Sequence, residues 1–201
     1  MHEELWKKLV TLEPDKVANR AKCRYLLNPS RYIITMLNCE YQVSPAKKEI
    51  FTLKPPSKPA PAAFLEQLCL LAYLINAKDL PLADKLLKAE SLPGGQFFFR
   101  GPHLLPNGKL EEAFGAEPLR LYRAADHLNA KKRDFGDAAV ELFVLPRLPL
   151  VFVIWAGDEE FGARASILFD RTASEQLPLD ALLTAVDLAV NTVISFDSKN
   201  V

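Results

Sequence analysis

Three consecutive acids, Asp158, Glu159 and Glu160, interrupt the apolar stretch "PLVFVIWAGDEEFGARASILFD" just where the chain must turn back. If extended backbone continues through them, Asp158 and Glu160 share a face, because alternate residues of a strand do. So placed, the pair suits a cation, a basic group, or the acid and base of a hydrolysis. A hairpin tip asks for the same residue types, since aspartate after glycine turns a chain and carboxylates stay in water. Trp155 and Phe161 are read as core, with an apolar wall beside the acids as the alternative.

His103, between "RGP" and "LLP", is the histidine that falls in an irregular stretch, which suits a ligand or a general base. Without a second His or Cys at ligand spacing it reads more simply as a hydrogen-bonded loop anchor. Arg100 offers a fixed cation for a carboxylate or phosphate, or a structural ion pair. Gly94 and Gly95 serve turns, or a close approach to a ligand. Stretches 94–103 and 157–160 both set glycine and charge beside aromatic residues, the composition of a pocket, and are expected to face one shared cleft. The ligand-binding candidates are therefore Gly94, Gly95, Arg100, His103, Asp158 and Glu160, with no metal ligand set and no cofactor assigned. Neither GxSxG nor HExxH is present to supply a nucleophile or a zinc, and no GxxxxGK or GxGxxG loop is present to cradle phosphates.

The elements that must position these residues follow from periodicity. "RYIITML", "EYQVS" and "KEIFTL" alternate as a small meander, with a tight turn at Asn38 and Cys39. "KPPSKPAP", 54–61, is a proline-rich connector, since its prolines cannot donate to a ladder; its Pro56-x-x-Pro59 spacing also fits proline-binding modules. The stretch 62–78 has an apolar face of Phe64, Leu65, Leu68, Leu71, Ala72 and Ile75, which predicts a core helix. Residues 79–109 carry no sustained period, at most one short strand at "QFFF", and many prolines and glycines. Irregular stretches that long are often functional.

Helices resume at "KLEEAFG" and from Pro118 to Leu128, and "NAKKRDFGD" reads as a connector. "AAVELFVL", "LVFVIWA" and "ASILF" are strands on joins short enough for antiparallel hairpins. "LVFVIWA" is apolar on both faces and belongs in a sheet interior. Antiparallel pairing brings Asp137 to the tip at Asp158 and Glu160, and carries Asp170 about 17 Å away at 3.3 Å per residue, beside "PRLP" and Arg147. From Pro178 to Phe196 one narrow polar stripe runs along an otherwise apolar helix, which covers the sheet. The fold class is α+β: one compact unit, 1–201, with an antiparallel or mixed sheet of about five to seven strands and packed helices. Its parts are 1–53, the connector 54–61, 62–136, and a three-stranded unit with the last helix, 137–201.

Composition bounds the rest. Lysine plus arginine equals aspartate plus glutamate, 25 against 25, so no general positive field collects nucleic acid or anionic lipid. The apolar run 150–156 falls short of a bilayer span, so no membrane role is expected. Cys23, Cys39 and Cys69 form no framework of paired spacings, which suits a reducing cytoplasm and small apolar fillers.

"LPGGQFFFRGPHLLP", then a helix pair, then "LPRLPLVFVIWAGDEEFGARASILFD" and a terminal amphipathic helix resemble the bacterial and archaeal domain-of-unknown-function family numbered 3786. The resemblance covers most of the chain. It implies company with anaerobic metabolism, since some members add a four-cysteine iron–sulfur segment like that of corrinoid iron–sulfur proteins. This chain has no such cysteine cluster, so the segment's redox role does not carry over. The leading function is a cytoplasmic ligand-binding or accessory module, linked by family analogy to corrinoid or iron–sulfur methyl-transfer proteins. Its partner is a small molecule or a protein, and its oligomeric state is open. One alternative is a hydrolase using His103 with Asp158 and Glu160, and another is an interaction domain presenting Phe97, Phe98 and Phe99.

Overall fold

Two short helices, α1 (His2–Val10) and α2 (Pro14–Arg20), lead into a meander of β1 (Arg24–Leu26), β2 (Arg31–Met36), β3 (Cys39–Ser44), β4 (Glu49–Leu53) and β5 (Ala60–Pro61). A computed structural model describes residues 2–53 and 58–198 of the chain. The first half of the proline-rich connector, 54–57, with Pro56 of its Pro-x-x-Pro spacing, lies outside the described residues. Each strand pairs antiparallel with the next, giving the order β1-β2-β3-β4-β5. The β2–β3 turn falls at Leu37 and Asn38, one residue earlier than expected, and both adopt positive φ, +48° and +55°. That is the twist a two-residue hairpin needs.

Helix α3 (Phe64–Asn76) follows, then an irregular stretch holding β6 (Leu86–Lys88) and α4 (Gly95–Phe98). Next come α5 (Asn107–Phe114), α6 (Arg120–Ala125) and β7 (Lys131–Arg133), the last inside the expected connector. The long strands β8 (Ala138–Leu145), β9 (Leu148–Trp155) and β10 (Arg164–Asp170) coincide with the three apolar segments, and α7 (Ala173–Gln176) and α8 (Leu179–Asp197) close the chain. The second sheet has the order β6-β10-β9-β8-β7, antiparallel throughout, with β9 at its centre. The fold is thus α+β, with its strands divided between two five-stranded sheets.

The sheets are joined where β8 bulges between Phe143 and Leu145. The carbonyl of Val144 there accepts the Leu37 N–H of the first sheet's hairpin at 2.9 Å. One contiguous core runs from Trp6 and Val17 through Ile34 and Val43, α3, and the inner face of the second sheet to Val193 of α8. By length and composition α8 would suffice to cross a bilayer, but here its Leu182, Val186, Val190 and Val193 are fully buried in that core.

Two expectations are corrected. Phe64 and Leu65, read as core, are exposed, because the first turn of α3 has only His2 of α1 against Phe64, and full burial begins at Cys69. "QFFF" is the helical turn α4 and not a strand: Gly94, at φ +75°, folds the backbone so that Phe99 enters the core against Phe169, with centroids 6.3 Å apart.

Candidate functional site

After α3 the chain cannot join a ladder at once. Pro81 has no N–H to give, and β6 begins only at Leu86, where it pairs with the end of β10. The intervening residues 79–85 form a strap tied down mainly by side chains from elsewhere. The Ala83 N–H donates to Asp170 Oδ1 at 3.1 Å, and the same oxygen accepts the Thr172 N–H at 2.9 Å and its hydroxyl at 2.6 Å. Burial alone would raise the Asp170 pKa, but these bonds outweigh it and hold the carboxyl below its ordinary value. Arg147, buried, donates to the Leu80 carbonyl at 2.9 Å and pairs with Asp79. Gln176 accepts the Lys78 N–H at 3.0 Å, and Lys85 accepts the Arg171 N–H at 2.9 Å.

Between the strap, the turn after β10 and the stretch up to Pro93 lies a cleft of about 790 Å³. Leu80, Pro81, Leu82, Leu87 and Pro93 make its walls apolar. The Lys78 ammonium at its edge is neutralised by Glu175 at 2.6 Å. Arg171 also lines the cleft, is exposed, and its guanidinium makes no hydrogen bond or ion pair among the described residues. Apolar walls with one uncommitted cation suit a ligand that is apolar over most of its surface and anionic at one end. Two other clefts are smaller, about 480 Å³ beside Arg120 and Asp197 and about 440 Å³ between α1, α3 and α8.

The residues singled out in the sequence lie elsewhere and fall into two groups. Gly94 and Gly95 build the α4 turn: a Cβ on Gly95 would stand 2.0 Å from the Ala89 carbonyl oxygen, so close backbone packing explains that glycine. Arg100 sits over the Phe97 ring at 5.9 Å, and His103 stacks on Phe98 with centroids 4.5 Å apart. Of the three phenylalanines expected to be presented together, Phe97 is 74% exposed, Phe98 half-buried and Phe99 buried.

Asp158 organises the opposite end of β10. Its Oδ1 accepts the N–H groups of Phe161 at 2.7 Å and Glu160 at 2.9 Å, which hold the carboxyl below its usual pKa. Asp137 arrives beside the tip as the antiparallel register requires, accepting the Ala156 N–H at 2.8 Å. Glu111 ties α5 to this end by accepting the Ala165 N–H at 3.0 Å. Stretch 94–103 meets β10 near Phe169, before α5 begins, whereas 157–160 lies beyond Arg164, where α5 ends. The span of β10 from Arg164 to Phe169, about 17 Å at 3.3 Å per residue, separates them, so the expected shared cleft does not form. Trp155, read as core, is 38% exposed, and Phe161 is 63% exposed. The alternation of β9 explains Trp155: Ile154 faces the core and its neighbour faces outward. Among the described residues no group of three or more His, Cys, Asp or Glu could hold a metal ion.

The length of 79–109 marked this stretch in the sequence, and the residues singled out there, 94–103, fall outside the lining of the cleft. Lys78, Leu82 and Arg171 come from three places in the chain, and no local spacing connects them. The family described as Domain of unknown function (DUF3786) matches residues 13–192, and the chain belongs to that family. No curated protein and no solved structure matches it.

Proposed function

We propose that this member of the family is a small-molecule-binding module, whose site is the cleft beneath the 79–85 strap and whose ligand carries an anionic group on an apolar body. The observation that carries the reading is the uncommitted Arg171 on an apolar cleft of about 790 Å³, within the range of roughly 300 to 1,000 Å³ typical of ligand pockets. Binding suits the geometry better than hydrolysis, because His103 and the acids Asp158 and Glu160 flank opposite ends of β10 and cannot act on one bond. A cytoplasmic location belongs to the same proposal, and so does service to corrinoid or iron–sulfur methyl-transfer proteins, which rests on family analogy alone. Exposed Phe97 supports a second reading, an interaction surface for a protein partner.

Thermal-shift screening tests the first reading with three probes: inorganic phosphate, a medium-chain fatty carboxylate, and a corrinoid. The fatty carboxylate is expected to raise the melting temperature, with the shift reduced by Arg171→Ala and abolished by Leu82→Asp. If every shift survives both substitutions, the ligand sits elsewhere and the proposal fails.

A further inference from the structure

Helix α3 fills the core with Leu70, Leu71 and Leu74, but part of the stripe that it turns toward α1 and α8 is small, at Cys69 and Ala72. Ala181 of α8 is small as well. These short side chains leave open the cleft of about 440 Å³ between the three helices, which Leu5 of α1 and Leu68 of α3 also line. Leu65, one turn earlier on the same face of α3, is 49% exposed and carries the apolar floor outward. The cleft shares no lining residue with the one beneath the strap, so neither site depends on the other.

The polar part of its wall comes from Asn76, Asp180 and Thr184. Gln176 draws these residues together by accepting the Lys78 N–H at 3.0 Å, which ties the end of α3 to the start of α8. Thr184 spends its hydroxyl proton on the Asp180 carbonyl at 3.0 Å. Asn76 donates to the Ala72 carbonyl at 2.7 Å, which fixes its amide and leaves Oδ1 without a hydrogen bond among the described residues. One carboxylate oxygen of Asp180 accepts the Ala181 N–H at 2.9 Å, and the other makes no bond among the described residues. The wall therefore offers mainly acceptors.

It also offers one sign of charge. Asp180 is the charged residue of the lining and forms no ion pair among the described residues. Two cations approach from outside the lining, and both are spent: Arg20 on the carbonyls of Leu74, Ile75 and Ala77, and Lys78 on Glu175. The start of α8 contributes about half a positive charge, which one full carboxylate exceeds. A primary ammonium answers both properties, since it brings three donors, no acceptor and a full positive charge.

We propose that this cleft is a second binding site, for a small amphiphilic primary amine. Its ammonium pairs with Asp180, with Asn76 Oδ1 and the Thr184 oxygen as further acceptors, and its hydrocarbon lies along Ala72, Leu68 and Leu5 toward Leu65.

Isothermal titration calorimetry tests the site with octylamine, and with 1-octanol as the same chain without charge. The wild type is expected to bind octylamine about tenfold or more tighter than octanol, the worth of one charge-assisted hydrogen bond. Asp180→Asn should remove that preference, and its position is exposed, so folding is not at risk. Asp187→Asn takes the same charge from the next turn of α8, outside the lining, and should leave binding unchanged. Ala72→Leu and Ala181→Leu fill the floor and should weaken both probes, with circular dichroism as the check on folding. If either fails to fold, the Asp180 comparison still decides. The proposal is overturned if octylamine does not bind, if wild type and Asp180→Asn bind it equally, if Asp187→Asn costs as much, or if folded filling variants bind as the wild type does.

Discussion

The Arg147 Nε donates to the backbone carbonyl of Arg20 at 2.7 Å, so one arginine holds in place the residue whose own guanidinium closes the neighbouring helix. Arg20 in turn donates to the carbonyls of Leu74 at 2.9 Å and of Ile75 and Ala77 at 2.8 Å, the acceptors that the end of α3 leaves without helical partners. Arg147 also grips the strap at Leu80 and Asp79, so α2, α3, the β8–β9 turn and the cleft share one cationic clasp.

Arg147→Met should therefore cost on the order of 3 kcal/mol, because charged hydrogen bonds are lost and carbonyls are left unpaired at a buried site. Urea denaturation measures the loss. Arg147→Lys should recover little of it, since a single ammonium cannot reproduce the planar fork that serves Arg20, Leu80 and Asp79 together.

Asp170 should give the protein part of its acid sensitivity. Its folded pKa lies below the ordinary aspartate value of about 3.9, so its stabilisation is full above that value and disappears as the pH falls through the folded pKa. Asp170→Asn is expected to be less stable at neutral pH by about 2 kcal/mol, the worth of hydrogen bonds to a charged acceptor. The difference between the two proteins should shrink as the pH drops below about 4. A constant gap across the acid range would show that the strap does not depend on the charge.

Trp155→Ala should cost about 1 kcal/mol or less, well short of the roughly 3 to 5 kcal/mol expected on truncating a buried aromatic. Phe152→Ala, three residues earlier and fully buried, should show the larger value. Iodide should quench Trp155 fluorescence while leaving buried Trp6 dark to the quencher.

Gly95→Ala should lower stability by about 1 to 3 kcal/mol, because its Cβ would meet the Ala89 carbonyl oxygen and its carbon, both rigid backbone atoms. Gly108→Ala has open space around the new methyl and serves as the control. Equal melting temperatures for the two would remove close packing as the reason for the glycine.

Much of the architecture was legible because it is written in local period. The segments of β8, β9 and β10 alternate or run apolar for eight, eight and seven residues, and the 19-residue α8 keeps one polar stripe throughout. Strands β1, β6 and β7 have three residues each, too few for a period of two to show, and each forms because a neighbouring strand offers it an edge. Phe64 and Leu65 continue the apolar stripe of α3, yet they stay exposed because too little of the fold covers that first turn.

By itself, then, the sequence determined the fold class, the long elements, and the antiparallel order that sets Asp137 beside the tip and Asp170 at the far end. These depend on interactions within a few residues or across one short turn. Tertiary structure alone decided that two glycine-marked loops stand apart, that Trp155 faces outward, and that Lys78, Leu82 and Arg171 surround one cleft. Those outcomes depend on which groups meet across the fold, such as Arg147 with Arg20 or Asp170 with Ala83, and no spacing along the chain encodes a meeting of that kind.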